Sequence, residues 1–189
     1  MPAQDHRERA FQDFFELNHA DLARLAYLIT GDANVADDIA SDALVEIWRH
    51  WDRVETADNP LAYARGVLAN LARNWIRRQR RERLGMLGLR LSPAEQHQAA
   101  DIPAVMDVRA ALRQLPLRRR ECVVLRYAFD VPEREVAEIL GISVGTVKSQ
   151  ASRGAAQLAS FLKAQDLTDF RRADLVPAVH GDHAWRLEG

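Results

Sequence analysis

Every fourth residue from Val35 to Trp51 is apolar, in the order Val35, Ile39, Ala43, Ile47 and Trp51, with Leu44 and Trp48 beside them. On a helix of 3.6 residues per turn this spacing makes a single stripe and leaves Asp38, Asp42 and Glu46 outside it. The same periodicity precedes it in Phe11, Phe14, Phe15, Leu17, Leu22, Leu25, Ala26, Leu28 and Ile29, where Thr30-Gly31-Asp32 supplies a stop and then a new cap. Asn59-Pro60, a capping residue followed by proline at the first helical position, opens a third helix predicted to reach about Arg83. The polar loop Arg53 to Asp58 joins the second helix to the third.

From about Gly85 to Pro103 the periodicity lapses, and Gly85, Gly88, Pro93 and Pro103 gather among Gln and Ala residues, as in a tether between domains. Helical patterning resumes with Val105, Val108, Leu112 and Leu115. Pro116 breaks it before a further helix carrying Val123, Val124, Leu125 and Tyr127. No convincing strand pair occurs. The expected fold is all-α, with two small helical domains at 8–84 and 104–162, a flexible linker at 85–103, and a C-terminal extension at 163–189.

The second unit contains a helix-turn-helix pattern. Pro132 to Leu140 reads as a short helix, Gly141-Ile142 as a tight turn, and Ser143 to about Leu162 as a second helix capped by Ser143. Gly141 can take the left-handed conformation that ends the first helix, Ala137 is small where the helices cross, and Ile142 and Val147 fill the wedge. Pro132 is accommodated if Asp130 or Val131 opens the helix, because proline is accepted in a first turn. Outward from the second helix stand Gly145, Thr146, Lys148, Ser149, Gln150, Ser152 and Arg153. These groups suit a helix in the major groove, with Lys148 and Arg153 reaching phosphate or guanine and Gln150 reaching adenine. A solvated helical hairpin is the plainer reading of the same pattern. A phosphate-binding loop is excluded, because Gly141 to Ser149 lacks four residues between its glycines and a Lys-Ser directly after the second.

Charge is unevenly spread. The net charge is −1, yet Arg73, Arg77, Arg78, Arg80, Arg81, Arg83 and Arg90 face the single acid Glu82, while the helix before them is acidic. One chain thus presents two opposite electrostatic faces. No apolar run approaches the roughly 20 residues of a membrane span, and the N-terminus has no signal-peptide block, so a cytoplasmic protein without membrane insertion is expected. The single cysteine, Cys122, lies in an apolar run and reads as buried and structural. No ligand cluster, nucleophile motif or phosphate loop points to an enzyme, a metal or a cofactor.

Both halves resemble one family. Phe11-Gln12-Asp13-Phe14-Phe15, Leu28 to Asp32, Ala36-Asp37-Asp38-Ile39, Ala43 to Trp48, Pro60-Leu61-Ala62-Tyr63 and Asn70 to Trp75 resemble region 2 of extracytoplasmic-function (ECF) sigma factors. Leu112 to Tyr127 and Val136 to Ser149 resemble region 4. The resemblance covers about residues 8 to 162 and points within the family to the actinobacterial SigE type. It implies a protein that binds the RNA polymerase core and directs promoter-specific initiation, with promoter DNA and an anti-sigma factor or other regulator as partners. It places core docking on Asp38, Asp42, Glu46 and Arg49. The family often has glutamine next to the position of Asp42, where this chain reads Ile39-Ala40-Ser41-Asp42. By analogy the Arg53–Asp58 loop, bounded by the site residues Arg53 and Asp58, receives a flipped base of the −10 element. Tyr63 and Asn70 lie near that base, Trp75 is a stacking candidate of the same −10 surface, and Arg73, Arg77, Arg78 and Arg80 follow the phosphates. Core packing is the competing role for Tyr63 and Trp75. Recognition of the −35 element falls to the Ser143–Arg153 face, where Gln150 replaces a common arginine.

Two other classes remain open at this point: a stand-alone helix-turn-helix regulator with a helical sensor domain, and a helical adaptor that sequesters another factor. The extension carries Phe170, Leu175, Val176, Trp185 and Leu187 among charges, and is expected to dock on the protein itself or on a regulator. His180 and His183 lack a third ligand at recognisable spacing.

Overall fold

The first helix stops where its backbone can turn. In the computed structural model, which describes residues 2–88 and 108–162, α1 (Pro2–Thr30) ends as Thr30 Oγ1 donates back to Ala26 O and Gly31 takes φ +77°. Asp32 then caps α2 (Ala33–Arg49), its carboxylate accepting from the backbone N–H groups of Asn34 and Val35. The stripe lands inside: Ile39, Ala43, Leu44 and Ile47 are buried, against Leu22, Leu25 and Ile29 of α1 in one core.

The stretch expected to be a polar loop is partly helical. Trp51–Glu55 form a short helix, α3, anchored by buried Trp51 and Val54, and its end is tied by Thr56 Oγ1 donating to Asp52 O. Arg53 therefore sits on a helix, and the turn is confined to the residues that follow. Burial explains the difference, since Phe11 and Phe14 of α1 close on the Trp51 ring with centroids 5.2 Å away in both cases. Arg7 adds a clamp, lying 4.2 Å over Trp48 and pairing with Asp52 at 2.9 Å.

Asn59 Oδ1 accepts from Ala62 N at 2.9 Å, and α4 (Pro60–Gly88) begins as the Asn-Pro pair predicts. Its buried face is mostly small, with Ala64, Leu68, Ala69 and Ala72, so α4 lies close on α1 and α2. The helix continues past Arg83 and through Gly85 to Gly88, so the first residues assigned to the linker are helical. A glycine costs a helix interior about 1 kcal/mol without forbidding it. The rest of the expected linker, Arg90, Val105 and the 163–189 extension lie outside the described residues.

The second half is assembled from shorter pieces: α5 (Val108–Gln114), α6 (Leu117–Val123), a π-helical turn over Val124–Ala128, α7 (Glu133–Leu140) and α8 (Val144–Phe161). Pro132 caps α7 from outside, with φ −57° and ψ 147°, so the helix opens after the proline and neither Asp130 nor Val131 begins it. Asp130, at φ +50°, and the Val131 N–H, bonded to Leu125 O, complete the reversal before it. Gly141 is left-handed as predicted, at φ 63° and ψ 43°. Gly154 on α8 is required by proximity: a Cβ there would stand 2.6 Å from Val123 Cγ2 and 3.3 Å from the Arg119 backbone. Among the described residues no strand occurs, and no helix is long and apolar enough to cross a membrane.

Candidate nucleic-acid interface

Ser143 sets the start of α8. Its hydroxyl accepts from Thr146 N at 3.2 Å and lies 2.8 Å from Thr146 Oγ1, while Ser149 Oγ donates back to Thr146 O. These three hydroxyls are thus partly engaged in shaping the helix. Lys148, Ser152 and Arg153 are exposed, Gln150 is half-buried, and Val147 is the inward anchor with no exposure. Val144, 41% exposed at the first turn, was not singled out by the residue pattern. An exposed valine at a helix start is an apolar group of the kind that contacts a thymine methyl where a helix enters a major groove. Its signal in the sequence was only its place after the cap.

The second surface lies on α3 and α4. Arg53, Asp58, Asn70, Arg77, Arg78 and Arg80 are exposed and Tyr63 is 37% exposed, whereas Trp75 is half-buried against the core. Arg77, Arg80, Arg81 and Asn74 line an open groove, so Asn74, which lies in the Asn70–Trp75 match but was given no role there, joins the basic stripe. Glu82, the one acid in the run, is occupied by Arg78 at 2.8 Å, which leaves the remaining arginines one-signed. On α2, Asp38, Asp42 and Arg49 are exposed. Glu46 holds Arg49 and His50 at 3.2 Å each.

Arg73 does not share the exposure of its neighbours. Its side chain is 14% exposed and faces Glu121 of α6, which has no exposure, with Nη1 to Oε1 at 3.5 Å. That distance makes an ion pair without a well-formed hydrogen bond, and neither of those two atoms has another partner among the described residues. Arg118 approaches the other oxygen, Oε2, at 3.3 Å. Burial raises the Glu121 carboxyl above its usual range, against the downward pull of Arg73, Arg118 and Arg120. Burial likewise lowers Arg73, with Glu121 opposing. The adjoining Cys122 thiol is pushed up to about 11, first by burial and then by Glu121.

Around that pair the two halves meet. Arg120 Nη1 donates to Ile29 O at 2.6 Å and Arg113 Nη1 to Gly31 O at 3.3 Å, so two arginines of the second half satisfy carbonyls where α1 ends. Arg109 reaches the Tyr27 hydroxyl at 3.2 Å, Arg65 pairs with Glu135 at 3.2 Å, and Arg24 and Arg65 lie over the Phe129 ring.

A helix-turn-helix and an acidic-then-basic helical bundle thus lie on one chain, the two-module arrangement of a transcription factor. Residues 14–82 match the family model for Sigma-70 region 2, and residues 106–158 match Sigma-70, region 4. The chain is 34% identical over 161 residues to the RNA polymerase sigma-E factor of Streptomyces coelicolor, covering 83% of this chain and 88% of that protein. It is 31% identical over 162 residues to the ECF RNA polymerase sigma factor EcfG of Rhodopseudomonas palustris, covering 85% and 89%. Its fold also resembles the sigma factor RpoE of Bartonella quintana, solved with the anti-sigma factor NepR, at a TM-score of 0.68 and 26% identity over 82% of this chain and 98% of that one. The chain belongs to the ECF RNA polymerase sigma factors.

Proposed function

We propose that this protein binds the RNA polymerase core through the exposed face of α2, with Asp38, Asp42, Glu46 and Arg49 as contacts, and directs initiation from a specific class of promoters. The working units are 8–84 and 104–162. The first melts the −10 element: the end of α3 and the turn that follows it, Arg53 to Asp58, take a flipped base beside Tyr63 and Asn70, and Arg77, Arg78, Arg80 and, once exposed, Arg73 follow the phosphates. Half-buried Trp75 serves better as the packing support of that surface than as a free stacking ring. The second unit reads the −35 element with Ser143, Thr146, Lys148, Ser149, Gln150, Ser152 and Arg153, to which we add Val144. The protein acts as a non-catalytic specificity subunit in the cytoplasm, and an anti-sigma factor is its expected regulator.

The observation that carries this reading is the order of two different surfaces on one chain. A regulator that binds duplex operators by itself has no use for an acidic docking helix followed by an arginine groove, and a sequestering adaptor has no use for a capped helix with Lys148 and Arg153 exposed. Run-off transcription of genomic DNA by purified core enzyme, with and without this protein, tests it. Start sites that depend on the added protein support the reading, and identical transcripts in both reactions refute it.

A further inference from the structure

Arg73 is assigned to the DNA phosphates, yet it is the one arginine of that set enclosed between the halves. A phosphate cannot reach a guanidinium that is 14% exposed and faces a fully buried carboxylate. We infer that Glu121 is an intramolecular stand-in for a DNA phosphate, holding Arg73 in a closed form of the protein in which the −10 surface is incomplete until the two halves separate. The inference rests on the promoter-recognition reading above and adds to it a built-in regulatory contact.

Three features support a contact that is specific but made to open. The surrounding ties are polar and directional: Arg120 to Ile29 O, Arg113 to Gly31 O and Arg65 to Glu135. They fix one relative placement of the halves, beside an apolar core that runs on from one half into the other. The central pair is imperfect, long at 3.5 Å and incompletely hydrogen-bonded. Burial also works against the charge on both partners, so the pair gains little from being enclosed, and a strand of phosphates competes well for Arg73. The closed form masks one surface only. Lys148, Ser152 and Arg153 on α8 remain exposed in it, so −35 contacts are available before −10 contacts are complete.

The test locks the halves at a tie outside both DNA surfaces. The full chain carrying Arg65→Cys and Glu135→Cys is joined by a short thiol-cleavable bismaleimide, with each single variant as a control. Cys122, fully buried, is a poor competitor for the reagent. Binding of a fluorescent single-stranded −10 oligonucleotide and run-off transcription with core enzyme are read before and after cleavage. At least a tenfold loss in both when locked, recovered on cleavage, supports the inference. Equal activity of locked and cleaved protein overturns it while leaving the promoter-recognition reading intact. A cleaved protein and single variants that never support transcription would remove that reading and this inference together. Independently, Glu121→Ala, which takes away the acceptor facing Arg73 and leaves that guanidinium without a partner in the closed form, is expected to bind the −10 strand several-fold more tightly and to scatter X-rays as a more extended particle. Unchanged affinity and unchanged dimensions would also overturn it.

Discussion

Both halves bury apolar side chains, but only the second also buries charge among the described residues. In the first, α1, α2 and α4 press long apolar faces together, and an aromatic cluster of Phe11, Phe14, Trp48 and Trp51 closes one end. In the second, short helices bury apolar side chains too, among them Leu112, Leu125, Val136, Val147 and Leu158, but they also enclose charge: of the three buried polar or charged residues among those described, Arg120 and Glu121 are here, and Thr30 lies at the seam. Apolar burial is non-directional and tolerates small shifts, whereas a buried charge demands particular partners in particular places. The first half is accordingly a rigid platform, and the second gives the molecule its specific seating and its means of release.

The sharpest way to break this comparison is to damage each core by its own mechanism. Ile47→Ala removes a fully buried side chain from the apolar core and is expected to cost about 2–5 kcal/mol in denaturant unfolding. The loss should be the same at every pH where the protein is folded. If it instead varied strongly with pH, the first core would not be the uncharged platform described.

Glu121→Gln should behave in the opposite way, with a smaller effect that depends on pH. Because burial raises the folded-state value of Glu121, its protonation-linked stability is fully present below the unfolded carboxyl value and is lost as pH rises through the folded one. The groups facing it, Arg73, Arg118, Arg120 and more distantly Arg77, oppose that shift and narrow the window. Wild type should therefore lose stability relative to Glu121→Gln as pH rises from acid towards neutral. A difference that is flat, or that grows in favour of wild type over that range, would show that the arginines outweigh burial.

What could be read from the sequence divides along the same line. Signals carried by neighbouring residues were legible: Asp32 and Ser143 as caps, Asn59-Pro60 as a helix start and Gly141 as a left-handed stop are all where the pattern puts them. The exposed acids of α2 and the exposed cations of α8 followed from helical periodicity. Arg120 and Ile29, by contrast, are 91 positions apart, and no local pattern ties an arginine to a distant helix end. The enclosure of Arg73 was hidden for the same reason, since seven arginines look alike in sequence and only packing against α6 separates one from the rest. The short α3 and the start of α7 after Pro132 were misread because tertiary burial of Trp51 and Val54, and the reversal at Asp130, decide them.

Two substitutions in the second half sharpen the comparison further. Gly154→Ala puts a methyl group 2.6 Å from Val123 Cγ2, where α6 and α8 touch, and should cost about 1–3 kcal/mol by overpacking. Thermal unfolding followed by circular dichroism reads this directly, and a neutral result would mean that α6 and α8 can part easily. Lys148→Ala, on an exposed position of α8, should leave stability unchanged and weaken binding to a −35 duplex by about 1–3 kcal/mol. A fall in the salt dependence of binding would mark Lys148 as a phosphate contact. Loss of discrimination among duplexes would mark it as a base contact.

Ser143→Ala carries the smallest effect and separates two roles of the same residue. The hydroxyl satisfies the Thr146 N–H and holds Thr146 Oγ1, so its removal is expected to cost about 1 kcal/mol of stability as a lost cap. If capping were its whole contribution, Ser143→Asp would restore stability, since aspartate caps as well and its charge favours a helix N-terminus. DNA affinity should not return with it, because a carboxylate at the groove-facing end of α8 repels phosphate. Recovery of both properties in Ser143→Asp would mean that the start of α8 stands away from the duplex, and the orientation assigned to the recognition helix would have to be reversed.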